Sequence, residues 1–229
     1  MHCLGVISRS MTATLKYKLV IFDFDGTLAD TVQLFMNITN QAADKFNFNR
    51  IQDHERESLR ELSARQMCQH LNVAWWKIPQ ISVYMRSEIS KYLDSIRLFA
   101  GVSEMLEYLS THGVKLAIAS SNSIDNITHL LGVRNRGLIN VFEGDTAIFG
   151  KSKRLKKIIS KLNIKRHEAI YVGDEIRDIE ASKKIHMASG VVSWGYTTAD
   201  SLKNQSPDEF FESMEDLMNK IVLTNKPQK

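Results

Sequence analysis

Residues Lys18 to Asp30 read KLVIFDFDGTLAD, in which a short apolar run, Leu19 to Phe22, delivers two carboxylates, Asp23 and Asp25, onto a Gly26-Thr27 turn. Apolar, β-prone residues bounded by such a turn read as a buried parallel strand, and open α/β sheets collect their ligands where such strands end. This constrains the fold strongly, because parallel strands need crossover connections, usually helices covering both faces of the sheet. Asp23 and Asp25 are two apart and share a face if the extended conformation continues. Carboxylates that close repel each other unless a cation lies between them or one keeps a proton. Hard oxygen donors of this kind suit Mg2+. Asp and Gly are also favoured in ordinary turns, so the string taken alone leaves a turn and a site both open.

The same arrangement recurs. Val114 to Ala119 is a second apolar run and ends in Ser120-Ser121-Asn122. Its hydroxyls can hydrogen-bond an oxyanion, while Ser121 or Ser123 can equally cap the helix that follows. Leu138 to Phe142 precedes a polar loop, Glu143 to Gly150, after which Gly150-Lys151-Ser152-Lys153 opens a basic helix through Leu155, Ile158, Ile159 and Leu162. A lysine at such a helix start can meet a phosphate as a point charge. Ala169 to Val172 then runs into Gly173-Asp174-Glu175-Ile176-Arg177-Asp178. The helix dipole accounts for one or two acids there, but not for their recurrence where other strands end. Ala188 to Trp194 reads as a fifth strand, and Asp208 to Ile221 as an amphipathic terminal helix carrying Phe211, Met214, Leu217 and Ile221.

Between the first two strands the character differs. Val32, Phe35, Ile38, Ala42 and Phe46 have helical spacing, with Asp30 or Thr31 as the cap. From Asn47 to Leu98 no strand pattern appears, and the segment reads as a small helical insertion with an amphipathic helix over Asp53 to Arg65. Trp75-Trp76, followed by Pro79, marks a break between helices. The two indoles either line a substrate pocket or fill the insertion's core, and core filling is preferred. His54, Cys68 and His70 have neither the number nor the spacing of a tetrahedral metal set. The α/β pattern resumes at Phe99-Ala100-Gly101, a turn feeding a helix through Met105, Leu106 and Leu109 that stops near Gly113.

Composition excludes several classes. At 229 residues and 43% hydrophobic content the chain can bury one α/β core plus an insertion. The net charge of +4 is spread along the chain apart from a cluster at Lys151 to Lys157, which argues against a nucleic-acid partner. Cys3 and Cys68 support no disulfide framework, and a cytoplasmic location fits best. No run approaches the ~18 apolar residues of a membrane span. With Met11 following closely, the first ten residues read as a start-site extension or a tail, as do Pro227 and the final lysine.

Taken together, the DxDGTL string, Ser120, Lys151 and the GDEIRD string resemble the four motifs of the haloacid dehalogenase superfamily over about residues 18 to 195, and YVGDEIRDIEASKKI is especially similar to its phosphoglycolate-phosphatase-like branch. The resemblance implies a Rossmann-like, doubly wound parallel core, residues 16–33 and 99–225, with a helical cap, 34–98, inserted in it and a tail at 1–15. It also implies a Mg2+-dependent phosphatase that hydrolyses a small phosphate monoester, phosphoglycolate-like or a sugar phosphate, through an aspartyl-phosphate. In that scheme Asp23 is the nucleophile and Asp25 the general acid and base. Ser120 and Lys151 hold the phosphoryl oxygens, with Ser121 and Asn122 beside them, and Gly26 and Thr27 shape the loop. The metal is held by Asp23, the Asp25 backbone carbonyl and Asp174, with Asp178 behind them. Lys153 competes with Lys151 and Ser121 with Ser120; adjacency to Gly150 and to the strand end favours the first of each pair. Phe99-Ala100-Gly101 departs from the family's frequent proline, at a turn remote from the chemistry. A dehalogenase is disfavoured by the presence of Asp25. A phosphomutase stays open, a receiver-like signalling domain fits the length poorly, and a non-catalytic phosphate-binding module fits the intact motifs poorly. Specificity is expected around Arg60, Arg65, Trp75, Trp76 and Arg86, and the oligomeric state is left open.

Overall fold

The computed structural model describes residues 14–144 and 150–223. Of the tail expected at 1–15, residues 1–13 lie outside the described residues while Thr14 and Leu15 form a short strand; Cys3, Pro227 and the final lysine, and most of the Glu143 to Gly150 loop also lie outside the described residues. In chain order the elements are β1 Thr14–Leu15, β2 Leu19–Phe22, α1 Val32–Phe46, α2 Arg56–Leu59, α3 Ala64–His70, α4 Ile78–Ser90, α5 Val102–Thr111, β3 Lys115–Ala119, α6 Ile124–Leu138, β4 Val141–Glu143, α7 Lys151–Leu162, β5 Ala169–Gly173, α8 Ile176–Lys183, β6 Ala188–Val192, α9 Ala199–Asn204, β7 Glu209–Phe211, α10 Met214–Ile221 and β8 Val222–Leu223.

Six strands form one parallel sheet in the order β4-β3-β2-β5-β6-β7. Its central strand is β2, whose four residues are buried. Alternation sends Val20 and Phe22 to one face, packed with Leu106 of α5, Ile127 of α6 and Leu217 of α10. Leu19 and Ile21 go to the other, packed with Leu155 and Ile158 of α7 and Ala181 of α8. A continuous apolar run on a strand therefore reports two covered faces. After β2 the chain builds outward through β3 and β4, then returns to lay β5 on the opposite side of β2. The strand order thus reverses between β2 and β5, and a crevice opens outside the carboxyl ends of those two strands.

The segment between β2 and β3 is helical, with its own apolar cluster that includes Met36, Ile51, Leu59, Met67 and Leu71. Five expectations are corrected. The helix expected over Asp53 to Arg65 is broken into a 3-10 turn, Asp53–Glu55, then α2 and α3. A new helix starts because the Ser63 hydroxyl accepts the Gln66 N–H while the Gln66 amide oxygen accepts the Ser63 N–H, a reciprocal cap. Trp75 and Trp76 are 76% and 63% exposed, so neither fills a core. They stack edge-on against each other on a 3-10 turn, Trp75–Lys77. Finally, the terminal helix is only α10, capped by Ser213; the residues ahead of it form β7, the edge strand beyond β6. Phe211, the first residue of the expected helix stripe, is buried there in the sheet and follows a strand's period of two. The fifth strand stops at Val192, and Thr31 stands at the start of α1 without capping it, its hydroxyl turned to Asp25.

Candidate active site

Asp23 and Asp25 leave β2 at the reversal point. Asp23 is buried, its N–H donates to the Val172 carbonyl of β5 and its Oδ1 accepts the Phe24 N–H at 2.8 Å. Gly26 has φ +74, and a Cβ added there would overlap the Asp174 carboxylate, so the turn needs glycine both for its backbone and for its space. Thr27 is buried and its hydroxyl donates to Asp174 Oδ1 at 2.8 Å.

Asp174 follows β5 and is held from three sides: by Thr27, by the Tyr196 N–H at 2.8 Å on Oδ2, and by the Thr197 N–H on its carbonyl. Asp178, one turn into α8, accepts the Asp174 and Glu175 N–H groups on Oδ2 and the Lys151 ammonium on Oδ1. Lys151 begins α7, is buried, and its Nζ donates to Asp23 as well as to Asp178. Lys153 is exposed.

Ser120 is buried at the end of β3, and its Oγ accepts the Asn122 N–H. Asn122 Nδ2 donates to both Asp25 oxygens at 3.1 and 3.0 Å. Its own amide is fixed because Oδ1 accepts from the Ser123 N–H and from Asn126 Nδ2. Ser121 is partly exposed on the wall of the adjoining cavity.

The electrostatics separate the acids. Burial would raise Asp23, but Lys151, Arg177 and the hydrogen bonds outweigh it and hold the carboxyl below its ordinary range. Burial and then the Asp23 charge push Asp25 up to about 7, which makes it a proton carrier near neutrality. Burial, followed by Glu175, Asp178 and Asp23, holds Asp174 well above the carboxylate range. Asp23, Asp174 and Asp178 each offer an oxygen, and these lie within 4.8 Å of one another, all three residues buried. An all-oxygen, like-charged, buried set fits a divalent cation, whose charge would offset the burial and the repulsion that hold Asp174 high.

Sequence reasoning did not find Asn126, Arg177 or Tyr196. Arg177 is paired with Glu175 beside the acids, and Tyr196 reaches Asp174 through its backbone N–H; a backbone donor leaves no residue-type signal. Arg60 was expected near substrate. Instead its guanidinium donates to the Tyr196 and Gly195 carbonyls, joining the helical segment to the loop that holds Asp174. Arg65, Trp75 and Trp76 are exposed and absent from the cavity wall, whereas Arg86 is on it.

A crevice at the reversal of a doubly wound parallel sheet, with carboxylates of separated acidity and a buried lysine, defines a hydrolase of the phosphatase class. The chain belongs to the haloacid dehalogenase-like hydrolases, whose family model matches residues 20–192. A phosphoglycolate phosphatase of Synechococcus elongatus is 30% identical over 204 residues, covering 89% of this chain and 96% of that protein. Pyrophosphatase PpaX of Listeria welshimeri is 27% identical over 215 residues, covering 90% and 96%. Among solved structures, a predicted phosphatase from Clostridium acetobutylicum shares the fold with a TM-score of 0.76 at 22% identity, covering 91% of this chain and 99% of that one. Among the described residues, no helix is long and apolar enough to cross a membrane.

Proposed function

We propose that the chain is a Mg2+-dependent phosphomonoesterase acting through an aspartyl-phosphate on Asp23. The supporting observation is the pair of carboxyls at one strand end with opposite shifts, Asp23 held low and Asp25 pushed up to about 7. An ionised carboxylate is the nucleophile and a protonated one the acid. An Asp23 oxygen attacks phosphorus, the bond from phosphorus to the alcohol oxygen breaks, and that oxygen takes the Asp25 proton. Water then attacks phosphorus, Asp25 takes the water's proton, and inorganic phosphate leaves with Asp23 restored. Lys151 uses two of its three N–H groups on Asp23 and Asp178 and has one for a phosphoryl oxygen. Ser120 donates from the carboxyl end of the neighbouring strand β3, and Ser121 and Asn122 line the same loop. Asp23, the Asp25 carbonyl and Asp174 would hold Mg2+, with Asp178 orienting them. When bound, the cation screens the carboxylates from the incoming phosphate dianion.

The same proposal divides the chain into a catalytic core, 16–33 and 99–225, and a cap, 34–98, since every strand of the six-stranded sheet lies outside 34–98. It takes a small phosphorylated molecule as substrate, with phosphoglycolate as the reference compound suggested by a relative, and a cytoplasmic setting in keeping with two cysteines in the whole sequence.

Release of phosphate from an aryl phosphate should require Mg2+, cease in EDTA and return on adding Mg2+ in excess; undiminished release in EDTA would sink the metal assignment. A second expectation concerns pH. Asp25 must be protonated to act as the acid, so kcat/KM for an alkyl phosphate should fall about tenfold per unit as pH rises above about 7. An aryl phosphate, whose leaving group needs less protonation, should fall less, and Asp25→Asn should flatten the alkyl profile. Identical profiles for the two substrates would remove Asp25 from that role.

A further inference from the structure

The crevice at the catalytic carboxylates continues into the helical segment as a cavity of about 160 Å³, lined at one end by Asp25, Asn122 and Asp174 and beyond them by Phe35, Leu62, Met67, Leu71, Ile81 and Met85. Its polar groups are unevenly distributed. Thr39 and Ser82 lie on the far wall, but each hydroxyl donates back to its own helix, Thr39 to the Phe35 carbonyl and Ser82 to the Ile78 carbonyl, both at 2.8 Å. The Tyr196 hydroxyl rests against the Met67 sulfur at 3.7 Å. Two arginines line the cavity: Arg177 is paired with Glu175 while its buried Nε has no hydrogen-bond partner among the described residues, and the Arg86 guanidinium lies 3.5 Å from the Ser121 carbonyl in the phosphate-facing loop.

From this distribution we infer that the substrate is a phosphate monoester of an apolar alcohol, with a hydrocarbon portion of about the size of a six-carbon chain or ring. The inference rests on the phosphatase reading above and names the alcohol it acts on. A dry apolar cavity of ~150 Å³ accepts a benzene ring, so this one has the volume for such a group. A charged group carried past the arginines to the apolar wall would be desolvated with no partner, and sugar hydroxyls placed there would lose their water without protein partners. Burying hydrocarbon there is favourable instead, at about 0.8 kcal/mol per methylene, or close to fourfold in kcal-equivalent affinity. The reaction is the hydrolysis already written: the alkyl monophosphate and water give the free alcohol and inorganic phosphate.

The test is a homologous series of n-alkyl phosphates from ethyl to octyl, with phosphoglycolate alongside, on the full chain with Mg2+. The leaving alcohols of the series have nearly equal acidity, so its slope reports the cavity rather than the chemistry. We expect kcat/KM to climb about fourfold per methylene and level off near hexyl, with phosphoglycolate below hexyl phosphate. Ser82→Leu, which adds bulk to the far wall, should bring the plateau to a shorter chain. A flat or falling series, or phosphoglycolate turned over faster than hexyl phosphate, overturns the inference and leaves the phosphatase reading standing. Release of phosphate from none of these esters overturns both.

Discussion

Asp23→Asn should lose essentially all turnover, on the order of 10⁴-fold or more in kcat, as removal of a nucleophile does in other covalent mechanisms. Asn has the shape of Asp and can still accept the Phe24 N–H, so the loop geometry is expected to survive. What disappears is the anionic oxygen, held ionised by Lys151 and Arg177, that would attack phosphorus. The check is twofold: steady-state release from an aryl phosphate, and acid-quench trapping of a phosphorylated chain, which wild type should give and the variant should not. Turnover in Asp23→Asn near the wild-type rate would rule out the aspartyl-phosphate. A normal urea melt is needed with it, so that lost activity is not lost fold.

Lys151→Met should damage both stability and chemistry. The ammonium is buried between Asp23 and Asp178, and removing it leaves two buried acids without their cation. Breaking a buried ion pair from one side costs about 3–5 kcal/mol, and losing a donor to the phosphoryl oxygens costs about 10²–10³ in kcat. The pH dependence carries a sign. In the wild type Asp23 lies below its unfolded value, so its contribution to stability is present above about pH 4 and is lost as pH falls through the folded value. In the variant the acids lack that partner and favour the protonated form, so folding binds protons and stability declines as pH rises. The gap between the two proteins should therefore be wide at neutral pH and narrow toward pH 4. Urea melts of metal-free protein at pH 7.5 and pH 5 measure it. An equal gap at both would mean that Lys151 contributes by packing and not by charge.

These two residues also illustrate how far the sequence carries. Asp23 stands at the end of an apolar run, and a strand that stops at a turn exposes its next side chain whatever the rest of the fold does. Lys151 and Lys153 are two apart at a helix start, and local pattern favours either only weakly. What separates them is the rotation of α7 on the sheet, which Leu155 and Ile158 set by packing under β2 and β3 and which buries Lys151 while leaving Lys153 in water. β7 was misread because three residues are too few to declare a period, and its place in the sheet comes from pairing with β6 rather than from its own composition. The insertion was legible as helical but not as a surface. Trp75 and Trp76 look like core by residue type, whereas their exposure follows from a 3-10 turn that turns them both outward. Asn122 and Asp25 are 97 residues apart, and no local signal announces such a bond.

The small antiparallel pair β1 and β8 joins residues 14–15 to residues 222–223, and the Lys16 N–H donates to the Ile221 carbonyl beside it. The described polypeptide is thereby closed almost into a ring. Among the described residues neither two-residue strand has another neighbour, so the two open together, and amide exchange should report them as one unit with the last turn of α10. The residues leading into the nucleophile's strand therefore clasp the helix that finishes the fold, and peeling the chain from either side begins by releasing the other.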